Sequence, residues 1–234
     1  CFSPTGGTKK AADILTKALQ DEIQTVDLTD SSVNFSDISL MESDVAVIAV
    51  PSYGGRVPET AVARLLKIKG NGARAVLLCV YGNRAYEDTL VELQDTAKEA
   101  GFRVAAAVCA IAEHSIARQI AAGRPDAKDQ QTLQHFAEQI RAKLDADDPS
   151  EPAVPGSRPY KKSSGGMVPK PTKDCVACGL CAAKCPVQAI DKQNPAAVDS
   201  KACISCMRCV AVCPHSAHKV NGVMLAAVHT MLKK

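Results

Sequence analysis

At 234 residues and 46% hydrophobic content, the chain holds enough apolar material for one ordinary domain and a smaller one. Its longest unbroken apolar run, Val104 to Ala112, is too short to cross a bilayer, so no membrane span is expected. The net charge of +3 conceals an asymmetry: residues 1–145 carry 16 basic against 19 acidic side chains, and residues 146–234 carry 12 against 6.

The chain opens Cys1-Phe2-Ser3-Pro4-Thr5-Gly6-Gly7-Thr8-Lys9-Lys10, a short apolar lead into a Ser/Thr/Gly turn. An amphipathic helix follows, with Ala11, Ile14, Leu15, Ala18 and Leu19 on one face. Amides and hydroxyls at such a helix start point toward an anion, aided by the helix dipole. The stretch is neither a Walker A sequence nor a G-x-G-x-x-G fingerprint, and taken alone it also reads as an ordinary turn. Ile23 to Leu28 reads as a strand, and Asp44 to Val50 as an apolar, β-branched strand buried on both faces. The loop Pro51 to Pro58 leads to a helix from about Glu59 to Lys67. Ala73 to Cys79 is the next strand, followed by the loop Val80 to Asp88 and a helix ending at Ala100. Phe102 to Ala110 is the last strand, leading through Glu113-His114-Ser115 to a helix around Asp126 to Leu144. Strands and helices alternating through short loops predict an α/β unit with a doubly wound parallel sheet over residues 1–145.

Ligands of such sheets sit beyond the carboxyl ends of the strands. The loops Ser3 to Thr8, Pro51 to Pro58 and Tyr81 to Tyr86 all follow strand ends and are expected to converge there. The first resembles the phosphate loop S/T-x-T-G-x-T of the flavodoxin family. That resemblance implies a sheet order of 2-1-3-4-5 and an FMN-binding domain. It places Ser3, Thr5, Gly6, Gly7 and Thr8 on the phosphate, Ser52, Tyr53, Gly54 and Gly55 along one side of the isoalloxazine, and Tyr81, Gly82 and Asn83 along the other. It also implies that Tyr53 or Tyr81 stacks on the ring. From the residues alone, either tyrosine also reads as a strand-end cap and the glycines as turn formers. His114 stands open between a surface-loop residue and a site residue, while Cys79 and Cys109 read as small buried hydrophobes. In that order the first strand is central, yet only Cys1-Phe2 of it is present, so the polypeptide is expected to begin several residues upstream.

Residues 146–173 change character, with six prolines interleaved with Gly156, Ser163, Ser164, Gly165 and Gly166. They read as a linker with stiff pieces and a flexible centre, spanning on the order of 25 to 30 Å as a coil. Lys161 and Lys162 within it read as solvated charges. Beyond the linker come two copies of C-x2-C-x2-C-x3-C-P, starting at Cys175 and Cys203. In bacterial two-cluster ferredoxins this spacing holds two [4Fe-4S] cubanes, the fourth cysteine of each run ligating the other cluster. Residues 174–220 resemble that family. The resemblance assigns Cys175, Cys178, Cys181 and Cys213 to a first cluster and Cys203, Cys206, Cys209 and Cys185 to a second. Zinc is the competing reading of paired C-x2-C, but a four-ligand zinc site requires no doubled repeat ending in proline. If each cluster with its thiolates carries about −2, the basic excess of this half falls to near +2, and no nucleic-acid partner is implied. Residues 221–234 read as an apolar C-terminal helix, packed on the body or across a dimer interface.

The whole chain resembles bacterial fusions of a flavodoxin-like domain with a two-cluster ferredoxin. FMN accepts electrons singly or in pairs and each cubane accepts them singly, so the resemblance implies an electron-transferring iron–sulfur flavoprotein. An oxidoreductase with an external redox partner protein or small-molecule donor or acceptor is expected. A pure carrier without its own substrate is the alternative. No general acid or base stands out. With eight of eleven cysteines assigned as ligands and an unpaired remainder, a reducing, anaerobic cytoplasm is the expected setting. The repeats differ where Gly179-Leu180 gives way to Met207-Arg208, and Arg208 is expected to stabilise the reduced second cluster.

Overall fold

The computed structural model describes residues 1–19, 22–162 and 166–232. Three parallel strands, β1 (Val45–Pro51), β2 (Arg74–Tyr81) and β3 (Arg103–Ile111), pair in the order β1-β2-β3. Ile48↔Leu77 and Leu77↔Ala107 mark the register across the sheet. The β2 sequence Arg-Ala-Val-Leu-Leu-Cys-Val-Tyr is nearly all apolar because both of its faces are covered. Ala75, Leu77 and Cys79 enter one core with α2 (Glu59–Leu65) and α3 (Thr89–Glu99). Val76, Leu78 and Val80 enter the other, with α1 (Gly7–Leu19) and α4 (Ala127–Asp145). Leu77 and Leu78 are wholly buried, and each such side chain contributes about 1.5–3 kcal/mol. Asp126 starts α4 with a reciprocal cap: its carboxylate accepts the amides of Lys128 and Asp129, and the Asp129 carboxylate accepts the Asp126 amide.

Two further segments extend the sheet at the β1 edge. The Phe2 amide donates to the Ala49 carbonyl at 2.9 Å, the Leu28 amide donates to the Cys1 carbonyl at 2.8 Å, and the Cys1 ammonium donates to the Val26 carbonyl at 2.8 Å. Residues 26–28, then 1–2, then β1, β2 and β3 thus follow one another in space, which is the flavodoxin-like order 2-1-3-4-5. The expected strand Ile23–Leu28 does not form as a regular strand. Its bonds to residue 1 are those of Leu28 and Val26.

The linker does not behave as a coil where it is described. Residues 151–161 form a strap along α3. Gln94 Nε2 donates to the Pro152 carbonyl at 3.0 Å, and Lys98 pairs with Glu151 at 3.0 Å. The Asp88 carboxylate accepts the amides of Ser157 and Lys161 at 2.8 and 2.7 Å. Arg158 grips Asp95 with two bonds, of 2.7 and 2.6 Å, and the Tyr160 hydroxyl donates to the same carboxylate. The expected solvated charge Lys161 instead pairs with Glu87. These ionic anchors replace chain freedom with fixed geometry. Ser163, Ser164 and Gly165, the expected flexible centre, lie outside the described residues.

The C-terminal part is small and irregular. β4 (Lys170–Pro171) pairs antiparallel with β5 (His218–Lys219). Single-turn helices α5 (Leu180–Ala183) and α6 (Arg208–Val212) follow Gly179 and Met207. α7 (Gly222–Leu232) closes the described chain, but Val223 and Met224 in its first turn are exposed rather than packed on the body. No helix among the described residues is long and apolar enough to cross a membrane.

The Ser157 and Lys161 amides hold the Asp88 carboxyl below its ordinary value, the Lys161 bond weighing most. A depressed folded value means that the anchoring is fully present above the ordinary carboxylate range and is lost only as pH falls through the lowered value. The strap should therefore remain closed at neutral and mildly acidic pH. Asp88→Asn should open it at neutral pH, read as several-fold faster tryptic cleavage after Lys161 and Lys162 with the helical circular dichroism unchanged.

Candidate functional site

The three distinctive loops meet at the carboxyl end of the sheet. Loop one, residues 3–8, turns from Phe2 into α1. Ser3 Oγ accepts the Lys9 amide at 2.8 Å, so its hydroxyl serves the helix start. Among the described residues, the amides of Thr5, Gly6, Gly7 and Thr8 donate to no protein acceptor. Gly6 takes φ +93, and no atom lies within 4 Å of the place a Cβ would occupy. Left-handed backbone, free amides and open space at the positive end of a 13-residue helix make a cradle that fits a phosphate. Thr8 itself is buried.

Loop two follows β1 and loop three follows β2. The Ser52 amide donates to the Val80 carbonyl at 2.8 Å, and the Ser52 hydroxyl shares a 2.7 Å bond with Thr89. Gly54 and Gly55 both take positive φ. At Gly55 the requirement is steric as well, because a Cβ would stand 2.8 Å from Glu87 Cβ, and the Gly55 carbonyl accepts the Asp88 amide at 3.0 Å. Arg56 lies beside these glycines, paired through two 2.7 Å bonds with Glu92, which also accepts the Val57 amide. The guanidinium also donates to the Lys161 carbonyl and stacks over the Tyr160 ring at 4.9 Å. Tyr81 packs edge-on against Tyr86, with ring centres 5.3 Å apart.

Loop three is closed on its other side by His114. Its Nδ1 accepts the amides of Ile116 and Ala117 at 3.2 and 3.0 Å, and a Cβ on Gly82 would come within 2.9 Å of its Cγ. His114 is therefore a turn cap that requires glycine at 82. The Ala112 amide donates to the Tyr81 carbonyl at 3.0 Å, and Ala112 also lies against Gly7, so the exit from β3 joins loops one and three. Asn83, exposed at the loop tip, takes φ 63. Cys79 and Cys109 are direct register partners on β2 and β3. The Cys79 thiol is pushed well up as a donor to Cys109, while Cys109 is lowered by accepting from Cys79 and Tyr86.

The eight expected ligand cysteines gather in two groups. Cys175, Cys178, Cys181 and Cys213 line one cavity together with His215 and His218. Cys206 lies close enough to Cys185 and Cys203, and Cys209 to all three, for each thiol to disfavour ionisation of the next. Burial is the larger cause, and it pushes Cys206 and Cys209 up to about 12. Such thiols become thiolates when a cationic core compensates them. Polar atoms beside both groups lack partners among the described residues: Nδ1 and Nε2 of His218, and Nε of Arg208, are buried without a hydrogen bond. Unmade buried bonds of this kind cost about 1–3 kcal/mol each. Sulfur acceptors of bound cubanes would relieve both, so the residues present fit iron–sulfur clusters. Met207 stands where the first copy has Gly179, and both take the left-handed conformation, at φ 60 and φ 75. Methionine there carries a strain of about 1–2 kcal/mol.

The second cysteine group is also the one that touches the α/β unit. Arg208 Nη1 donates to the carbonyls of Ser3 and Pro4 at 3.3 and 3.1 Å. Ile204 packs on the core shared with Tyr53 and Val57. Burial, and then the Cys206 thiol beside it, push the Tyr53 hydroxyl well above its ordinary value. Arg64 donates to the Pro186 carbonyl at 2.6 Å. The first group faces outward, with Cys178 exposed and Val176 60% exposed. Sequence reading missed Arg56, Asp88, Asp95 and His218. For the strap residues a signal existed: acids at 88, 92 and 95 recur at helical spacing, opposite the basic Arg158 and Lys161.

Residues 174–217 match the family described as 4Fe-4S dicluster domain. No curated protein matches the chain. Among solved structures, a flavodoxin of Streptococcus pneumoniae TIGR4 is similar, at 23% identity over 61% of this chain and 94% of that one, with a TM-score of 0.43. The two-electron reduced flavodoxin of Megasphaera elsdenii is similar at 17% identity over 58% of this chain and 93% of its own, with a TM-score of 0.40. From its strand order and its cysteine repeat, the chain joins a flavodoxin-like α/β unit to a 4Fe-4S dicluster domain.

Proposed function

We propose that this chain is an iron–sulfur flavoprotein that passes electrons between an external redox partner and FMN through two [4Fe-4S] clusters, acting as an oxidoreductase. The observation that carries the proposal is the seating of the second cysteine group on the phosphate loop. Arg208 binds two carbonyls of that loop, and Tyr53 of loop two lies beside Cys206. The cluster at Cys203, Cys206, Cys209 and Cys185 is then the inner one. The cluster at Cys175, Cys178, Cys181 and Cys213 is the outer one, with Cys178 and Val176 at the surface where a partner approaches.

When bound, FMN would supply exchange between one- and two-electron transfer, and the cubanes single-electron transfer. The chain's own residues supply position and charge. The free amides of Thr5 to Thr8 would hold the phosphate, with the α1 dipole behind them. Ser52, Gly54 and Gly55 on one side, and Gly82 and Asn83 on the other, would let backbone groups approach the ring. Tyr53 or Tyr81 would stack on the ring, Tyr81 with Tyr86 edge-on beside it. The strap is tied to the outer side of these loops through Arg56 and Glu87.

Anaerobic purification with iron and flavin assays, followed by titration with NAD(P)H and then with a reduced ferredoxin, tests the proposal. Two four-iron clusters and one FMN per chain are expected, with the visible bands bleached by reduced ferredoxin. Protein without flavin would overturn the reading of residues 1–145. Bleaching by NAD(P)H would make the flavin the entry point rather than the exit. Arg208→Gln removes the charged donor from loop one. Hydrogen bonds from charged groups contribute about 1.5–3 kcal/mol, so FMN should dissociate at least about tenfold more readily. The inner cluster's potential should fall and the outer one's stay unchanged in a redox titration.

A further inference from the structure

We infer that His218 donates a hydrogen bond to the outer iron–sulfur cluster and thereby raises that cluster's reduction potential. The inference rests on the cluster assignment proposed above and adds a residue to it. His218 lies on β5, five residues after Cys213, and is 2% exposed. It lines the cavity formed by Cys175, Cys178, Cys181 and Cys213. Neither ring nitrogen has a hydrogen-bond partner among the described residues. In every tautomer of imidazole at least one ring nitrogen carries a proton, so a buried N–H stands without an acceptor. Native interiors rarely leave such a donor unpaired. The acceptors that the four thiols would bring into this cavity are sulfurs, either the thiolates or the sulfides of the cluster core.

The internal repeat supplies an independent argument. Cys213-Pro214-His215-Ser216-Ala217-His218 aligns with Cys185-Pro186-Val187-Gln188-Ala189-Ile190. At the equivalent position the first copy has Ile190, 5% exposed and packed with Cys181, Cys185 and Cys209. The fold therefore accepts an apolar side chain at this place, and packing alone gives no reason for imidazole at 218. One-electron reduction adds a negative charge to the core, and a donor aimed at its sulfurs stabilises the reduced form more than the oxidised one. The two cluster sites would then be tuned by different groups, the outer by His218 and the inner by Arg208.

The test compares wild-type protein, His218→Ile and His218→Gln, all purified anaerobically. His218→Ile copies the first repeat and should keep full iron content. The outer cluster's reduction equilibrium should fall about tenfold, which is about 59 mV for a one-electron couple, with the inner potential unchanged. His218→Gln keeps an N–H and should recover part of the shift. Pulsed electron paramagnetic resonance of the reduced wild type should show weak histidine nitrogen coupling to one cluster, and His218→Ile should lose it. Unchanged potentials in iron-replete His218→Ile, or wild-type signals without that coupling, would overturn the inference while leaving the cluster assignment standing. Wild-type protein that binds no iron would instead overturn the assignment itself.

Discussion

The seating of the C-terminal segment on the α/β unit depends first on one polar contact, the Arg208 guanidinium on the carbonyls of Ser3 and Pro4. Those carbonyls precede the first turn of α1, and their amide neighbours at 5–8 are the ones left free. A cation on the carbonyl side of the loop orients its peptide groups so that the N–H side faces outward. The same residue precedes Cys209, so it fixes the loop of residues 3–8 and the second cysteine segment relative to each other. Ile204 and the Arg64 bond to Pro186 lock the contact from either side.

The α/β unit supplies the rigidity this contact requires. β2 is buried on both faces, and its alternating side chains tie α1 and α4 to one core and α2 and α3 to the other. Loops at the carboxyl end of such a sheet inherit fixed positions from the strands beneath them. The strap adds a second constraint. Asp88, Glu92 and Asp95 present a stripe of carboxylates on α3, and Arg56, Arg158 and Lys161 complete it. A segment that composition marks as flexible is thereby held against loops two and three.

Much of this was legible in the sequence because the signals are local. The cysteine spacing falls within two short runs, and the apolar strand of residues 44–50 and the turn of residues 3–8 are continuous stretches. What escaped depends on partners far apart in the chain. Asp95 and Arg158 are 63 residues apart, and no window of sequence contains both. His218 carries no mark in the sequence, since only its burial in the fold removes its hydrogen-bond alternatives. His114 became a turn cap, and Tyr81 gained an edge-on aromatic neighbour five residues on, once the loop had folded back. The segment expected as a strand at 23–28 is not a regular strand among the described residues.

The most direct test of the account is diffraction at the iron edge from crystals of anaerobically purified protein. The account predicts two four-iron peaks. The one held by Cys203, Cys206, Cys209 and Cys185 should lie nearer the loop of residues 3–8, and the one held by Cys175, Cys178, Cys181 and Cys213 nearer the surface. A single-metal peak at either site, or the second group lying farther from that loop than the first, would contradict it.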